Sequence, residues 1–255
     1  MVSAIPASTQ FHIRPLARVR VAALYDIHGH LPALEAALAD VDDDALILVG
    51  GDVAMGPWPR ETLERLRALG QRVLWLRGNA DRELVHPSAP REGGPPQELA
   101  ERVRGQLSEE ALAFLDALPL TQTIEIDGVG RVLFCHATPR DDDELLTRIS
   151  PDERWLDAID GAPERTIVCG HTHVQFDRRI GSKRVVNAGS VGMPYEAEPG
   201  AYWLALGPDV EHRRSGYDVD AATAAIDATG WPGEWPAATP EEATELFERI
   251  ARERA

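Results

Sequence analysis

Apolar residues in the first third of the chain fall into short continuous runs: Val19–Tyr25 (VRVAALY), Ala45–Val49 and Val73–Leu76. Each is β-rich and too short for a helix, so each predicts a buried strand. Between them, Leu31–Asp40 (LPALEAALAD) and Glu61–Leu69 repeat apolar positions at helical spacing, and Pro32 suits a first helical turn. Strand–helix–strand–helix–strand predicts a parallel sheet covered by helices.

The pattern then changes. Residues 86–96 are rich in Pro and Gly and read as a loop. Ser108-Glu109-Glu110 starts a helix running through Leu118, with serine as N-cap and acids in the first turn. Thr121–Ile126 and Arg131–Cys135 flank Asp127-Gly128-Val129-Gly130, a β-hairpin pattern. A second hairpin surrounds Gly181-Ser182, and a further strand covers Tyr202–Leu206. Two stacked sheets with helices outside would house both halves. Thr239-Pro240-Glu241-Glu242 matches a capping box that opens a peripheral C-terminal helix to about Arg252. The expected division is an N-terminal extension over 1–18, one domain over 19–206, and a strand and helices over 207–255 packing on that domain.

Charge narrows the partners. Lys plus Arg is 26 against 42 Asp plus Glu, a formal net charge of -16. Such a surface repels polyanions, which argues against long nucleic acid but not against one small phosphate ester at a locally positive site. It also discourages nonspecific association, leaving an oligomer open. No run approaches the ~18 apolar residues of a membrane span. Residues 1–17 lack an apolar core of the signal-peptide kind, so the expected compartment is the cytoplasm. Cys135 and Cys169 each close a predicted buried strand and read as reduced core thiols.

The runs end in one kind of chemistry. Asp26-Ile27-His28, Gly51-Asp52, Gly78-Asn79, Cys135-His136 and Gly170-His171-Thr172-His173 each follow an apolar run. In parallel sheets, ligands collect where the carboxyl ends of the strands open into loops. Asp26, His28, Asp52, Asn79, His136, His171 and His173 supply two carboxylates, one amide and four imidazoles. One ion needs four to six ligands, so seven side chains point to two ions sharing a carboxylate. Oxygen plus imidazole without thiolate suits divalent first-row ions, namely Mn, Fe, Ni, Co or Zn, more than Ca or Mg.

In this order, D-x-H, G-D, G-N, H and G-H-x-H over residues 19–206 resemble the calcineurin-like metallophosphoesterase superfamily. The Gly-Asn-Ala-Asp form of the third motif is similar to its small bacterial and archaeal phosphodiesterase-like branch. The resemblance implies an α/β fold, a four-layer α/β/β/α sandwich of two mixed sheets, here with a C-terminal helical extension. It implies Asp26, His28 and His173 on one metal, Asn79, His136 and His171 on the other, and Asp52 bridging, with manganese favoured. Asp52, His28 and His136 form the expected catalytic set. The expected activity is hydrolysis of a small or nucleotide-like phosphodiester by a metal-bound hydroxide. The alternatives are a phosphomonoesterase or protein phosphatase of the same fold, or a non-catalytic metal-binding scaffold.

One departure stands out. Many members carry His directly after G-N, thought to protonate the leaving group, whereas this chain has Ala80. His30 is a candidate replacement, set against a plain role in the first helical turn. Asp81 reads as a cap or as a partner orienting a ligand. Asn79, Arg140 and His30 are the expected substrate contacts, Arg140 through a phosphate or else as a solvated loop residue. Asn187-Ala188-Gly189-Ser190 shapes the pocket floor or only a turn. Trp58 is an apolar wall for a base or a packing anchor. The natural substrate is set by the loops 54–60, 82–96, 138–150 and 190–199.

Overall fold

The computed structural model describes residues 19–89, 97–232, 235 and 238–254. The N-terminal extension over 1–18 and residues 90–96 of the Pro/Gly-rich loop lie outside the described residues.

Two five-stranded mixed sheets form the body. The first runs β10-β9-β1-β2-β3, with β1 (Val21–Leu24), β2 (Leu46–Val49) and β3 (Val73–Trp75) parallel, and β9 (Ala201–Leu206) and β10 (Val210–Ser215) added antiparallel. The second runs β4-β5-β6-β8-β7. Its β5 (Gly130–Cys135), β6 (Thr166–Cys169) and β8 (Lys183–Asn187) are parallel, flanked by antiparallel β4 (Thr121–Ile126) and β7 (Phe176–Ile180).

The strand runs are continuously apolar because both faces of each sheet are covered. Side chains alternate across a strand. Val21, Ala23 and Tyr25 therefore enter the core between the sheets with Val132, Phe134 and Val168. Ala22 and Leu24 face a helix-side core built from α1 (Leu31–Asp40), α2 (Pro59–Arg67), α3 (Asn79–Val85), α4 (Gln97–Arg104) and α5 (Glu109–Asp116). Leu133, Cys135, Ile167 and Cys169 face the opposite way, against Trp155 and Ala158 of α6 (Asp152–Ala158). The result is the expected α/β/β/α order of layers. Both cysteines are free and buried.

Beyond β10 lie α7 (Val219–Ala228) and α8 (Pro240–Arg254). Thr239 and Glu242 exchange the two hydrogen bonds of a capping box at the start of α8. Glu248 pins that helix to the loop before α6, accepting from Thr147 (2.6 Å) and from Ser150. No helix among the described residues is long and apolar enough to cross a membrane.

Three helices are absent from the sequence reading. The helix α3 begins at Asn79, where a strand end or turn is expected, and spans only 7 residues. The 8-residue α4 buries a single residue, Val103, and α6 is again 7 residues long. Each is too short or too polar to carry a readable helical period.

Candidate metal centre

The parallel strands of both sheets open toward one place, and the backbone is cross-tied there. His28 N–H donates to Asp52 O (2.8 Å), Gly170 N–H to His136 O (2.8 Å) and Gly192 N–H to Asp26 O (3.0 Å). His171 N–H donates to Asp26 Oδ2 (2.9 Å), and Ser190 Oγ donates to Asp26 O (2.7 Å). The residues carrying these loops are conformationally unusual. Asp26, His28, Asp52, His171 and His173 all have positive φ, between 48° and 66°, and these are the only non-glycine residues among those described that do. Left-handed backbone at non-glycine residues costs about 1–3 kcal/mol each and gathers at functional sites.

Seven side chains converge. Asp26 Oδ1 is 3.3 Å from His173 Nε2 and 3.8 Å from His136 Nε2. Asp52 places one oxygen 3.5 Å from His136 Nε2 and the other 3.7 Å from His28 Nε2. Asn79 Oδ1 is 3.1 Å from His136 Nε2, and the His171 ring centroid is 5.2 Å from that of His136. All seven are buried. Asp26, His28 and His173 form one ligand-sized group, and Asp26, Asp52 and His136 a second.

Three imidazoles are oriented alike. His28, His136 and His173 each place Nδ1 on a backbone carbonyl, those of Met55 (3.3 Å), Gly50 (2.8 Å) and Met193 (2.7 Å). A carbonyl only accepts, so each Nδ1 donates, which turns Nε2 toward the cleft as the atom that would meet a metal. His28 Nε2 and His173 Nε2 are then two acceptors only 3.2 Å apart. Asp26 Oδ1 and His171 Nε2 are buried without any hydrogen-bond partner. Orphaned buried acceptors are costly unless something positive meets them. The donor set therefore fits divalent metal ions.

The electrostatics agree. Burial works to raise the Asp26 carboxyl, but His173 and His136 outweigh it and hold it below its ordinary value. Asp52 is likewise held low, with His136 and His28 overcoming burial. His171 falls to about 3 through burial and the neighbouring His136.

Glycine is required where the loops touch. A Cβ on Gly78 would lie 2.1 Å from Asp52 Oδ1, and Gly51, at φ 96°, would drive one to 2.5 Å from Gly78 N. The G-D and G-N motifs are thus two halves of one close approach.

Asp81 does more than cap a helix. Its carboxylate accepts from Asp52 N–H (2.8 Å) and Gly78 N–H (3.1 Å) on Oδ2 and from Val53 N–H (3.0 Å) on Oδ1. Burial and the adjacent Asp52 raise it to about 7 against the pull of these donors. Asn at this position would turn an NH2 toward one side of the fork. Asp81→Asn is expected to weaken metal affinity by about 10- to 100-fold, the usual cost of losing a partner that orients a ligand; metal titration followed by calorimetry reads it.

Two expected substrate residues are not brought into this group. Arg140 gives its guanidinium to Glu144 (2.7 Å) and Asp157 (2.8 Å), an exposed ion-pair cluster rather than a phosphate contact. His30 accepts the Ala33 N–H on Nδ1 (3.2 Å) as the N-cap of α1, so its proton sits on Nε2. Burial lowers it to about 4, which favours the neutral ring near pH 7. Asn187 does brace the cleft, donating to Gly170 O (2.6 Å) and Thr172 Oγ1 (3.2 Å). Tyr195, which no sequence pattern marks, stacks on His173 with ring centroids 5.1 Å apart and planes at 20°. The carbonyls that orient the imidazoles carry no sequence signal either, since any residue supplies one.

Comparison with known proteins bears on the same residues. The family described as a calcineurin-like phosphoesterase superfamily domain matches residues 19–206. An uncharacterized protein of Methanocaldococcus jannaschii is 29% identical over 196 residues, covering 68% of this chain and 76% of that protein. A symmetrical bis(5'-nucleosyl)-tetraphosphatase of Klebsiella pneumoniae is 30% identical over 145 residues, 54% of this chain and 50% of that enzyme's length. Among solved structures, a metallophosphoesterase from Sphaerobacter thermophilus superposes with a TM-score of 0.65 at 24% identity, over 91% of this chain and 99% of that one. A hypothetical protein from Pyrococcus horikoshii OT3 superposes with a TM-score of 0.69 at 22% identity, over 90% and 97%. The two structures share the fold.

Proposed function

The chain belongs to the calcineurin-like phosphoesterase superfamily, and from that premise we propose that its cleft holds two divalent first-row cations, manganese favoured, and hydrolyses a small phosphodiester. The observation that carries this reading is the convergence of seven buried side chains, five of them in two ligand-sized groups, with Asp26 Oδ1 and His171 Nε2 buried without a hydrogen-bond partner. Asp26, His28 and His173 would hold one cation, Asn79, His136 and His171 the other, and Asp52 both. When bound, such a pair supplies Lewis-acid polarisation of a phosphoryl oxygen and an acidified water.

The protein's own part is orientation and charge. Carbonyls of Met55, Gly50 and Met193 keep three Nε2 atoms aimed inward. Two carboxylates against four positive charges leave the cleft positive, so an anionic ester is drawn in despite a net charge of -16. The nucleotide-like character of the substrate is consistent with the tetraphosphatase named above, which shares half its length with this chain.

Ala80 supports a diester over an unactivated monoester. It is buried, and its N–H donates to Asp52 Oδ1 (2.7 Å), so its side chain occupies the position beside the ligand with no proton to give. Ala80→His is expected to raise turnover of esters with poor leaving groups by about 10²-fold, the low end of what a positioned acid contributes. Turnover on a series of aryl and alkyl esters, at equal metal content, checks it. The reading as a whole is tested on protein stripped and reloaded with each of Mn, Fe, Co, Ni and Zn, assayed on matched aryl monoesters and diesters. A strong monoester preference overturns the diesterase assignment, and no turnover with any ion leaves a metal-binding scaffold.

A further inference from the structure

Two large aromatic side chains border the metal centre without belonging to any apolar core among the described residues. Trp58 and Trp235 are both partly exposed. Each is tied to a loop that carries a ligand. Trp58 N–H donates to Gly29 O (3.0 Å), directly after His28. Trp235 Nε1–H donates to Gly192 O (2.8 Å), and Gly192 N–H in turn donates to Asp26 O (3.0 Å).

Between them sits His30. Its ring meets Trp58 edge-on at 6.3 Å, Trp235 edge-on at 5.4 Å and Tyr217 at 5.5 Å. Trp231 adds a further ring 5.9 Å from Trp235. Tyr217, Trp231 and Trp235 all lie beyond residue 206, where the family match ends. The C-terminal segment therefore brings its rings back to the ligand loop Asp26–His30.

We propose that Trp58, Trp235 and Tyr217 around His30 form a stacking subsite for the planar heteroaromatic group of the phosphoester substrate. This deepens the functional reading above and rests on it. The chemistry favours that occupant. Trp58, Trp235 and Tyr217 carry no charge, and the Nδ1 of His30 already accepts from Ala33. A second phosphate would find no cation here, and a small alkyl group would leave most of the aromatic surface wet. A flat neutral ring attached to the phosphate under attack gains from π-faces whatever its hydrogen-bonding edge, which is how aromatic side chains hold nucleobases. Tryptophans left partly in water beside a site for anions present apolar π-surface that a flat ring can cover.

The test uses two esters with one leaving group: thymidine 5'-(4-nitrophenyl phosphate) and methyl 4-nitrophenyl phosphate. The full-length, metal-loaded protein should prefer the thymidine ester in kcat/KM. Trp235→Leu and Tyr217→Leu should each erase roughly 5- to 100-fold of that preference, the range expected on losing a base–aromatic stack, chiefly through KM. Trp235→Phe, which keeps a ring, should retain most of it. A preference unchanged in both leucine variants overturns the proposal. An independent readout does not need turnover. Adenosine 5'-monophosphate should quench tryptophan fluorescence saturably while ribose 5-phosphate does not, and Trp235→Leu should abolish the difference. Equal quenching by both, or by neither, also overturns it. If neither ester is cleaved with any metal, the functional reading fails, and the quenching result still decides the subsite.

Discussion

Asp52→Asn is expected to lower kcat/KM for phosphoester hydrolysis by roughly 10³-fold and to leave fewer than two ions bound per chain. The size follows from the several kcal/mol of charge stabilisation that a metal centre supplies, at about 1.4 kcal/mol per tenfold. The two oxygens of Asp52 serve different neighbours, one 3.5 Å from His136 Nε2 and the other 3.7 Å from His28 Nε2. Its Oδ1 also accepts the Ala80 N–H (2.7 Å), so one end is fixed by backbone. Asparagine keeps that hydrogen bond through its carbonyl oxygen. Its NH2 must then occupy the other end, a donor with no lone pair for a cation, beside an imidazole whose own lone pair faces the cleft. The change removes a negative charge from the cleft without altering its shape. Elemental analysis with steady-state kinetics reads the effect, and circular dichroism shows that the fold is kept. Two ions and full activity in the variant would remove Asp52 from the centre.

That substitution can be named from the sequence because the site and the sheets share one periodicity. A strand buried on both faces is a continuous apolar run, and in parallel sheets the ligand follows the run's end. Val19–Tyr25 ends at Asp26, Arg131–Cys135 at His136, and the run through Cys169 at His171, so ligand order and strand order are the same information. The hairpins were equally legible, since turn glycines such as Gly128, at φ 84°, and Gly181, at φ 57°, mark them. What stayed hidden is what depends on contact across the fold. Asp81 reads in the sequence as a cap or as a partner orienting a ligand, but that it does so by reaching back to the backbone of Asp52 and Val53, 29 and 28 residues earlier, depends on the fold. The left-handed backbone at Asp26, His28, Asp52, His171 and His173 carries no local sequence signal either. Arg140 shows the converse: a loop arginine after a strand end is equally placed for a phosphate or for carboxylates, and here it donates to Glu144 and Asp157.

Stripping the metals is expected to lower the melting temperature by roughly 10 °C relative to protein in excess Mn, as read by differential scanning calorimetry with and without chelator. Ions that bind only the folded chain stabilise it by about 4 kcal/mol when their free concentration is a thousand times the dissociation constant. For a chain of this size each kcal/mol moves the midpoint by about 2–4 °C. The fold supplies the reason that binding is confined to the folded state. Asp26 and His173 are far apart in sequence and adjacent only when both sheets are assembled. The shift should nevertheless stop short of unfolding the protein at room temperature. Burial disfavours a charged His136, yet Asp52 and Asp26 raise it to about 10, so an imidazolium can stand between the two carboxylates once the cations have left. One proton replaces part of four positive charges, which preserves the cleft but leaves His28 Nε2 and His173 Nε2 facing each other at 3.2 Å with nothing positive to divide them. The stripped protein should therefore be folded, less stable and competent to reload. An unchanged midpoint on adding each candidate ion would mean that the seven groups are held together by protonation alone.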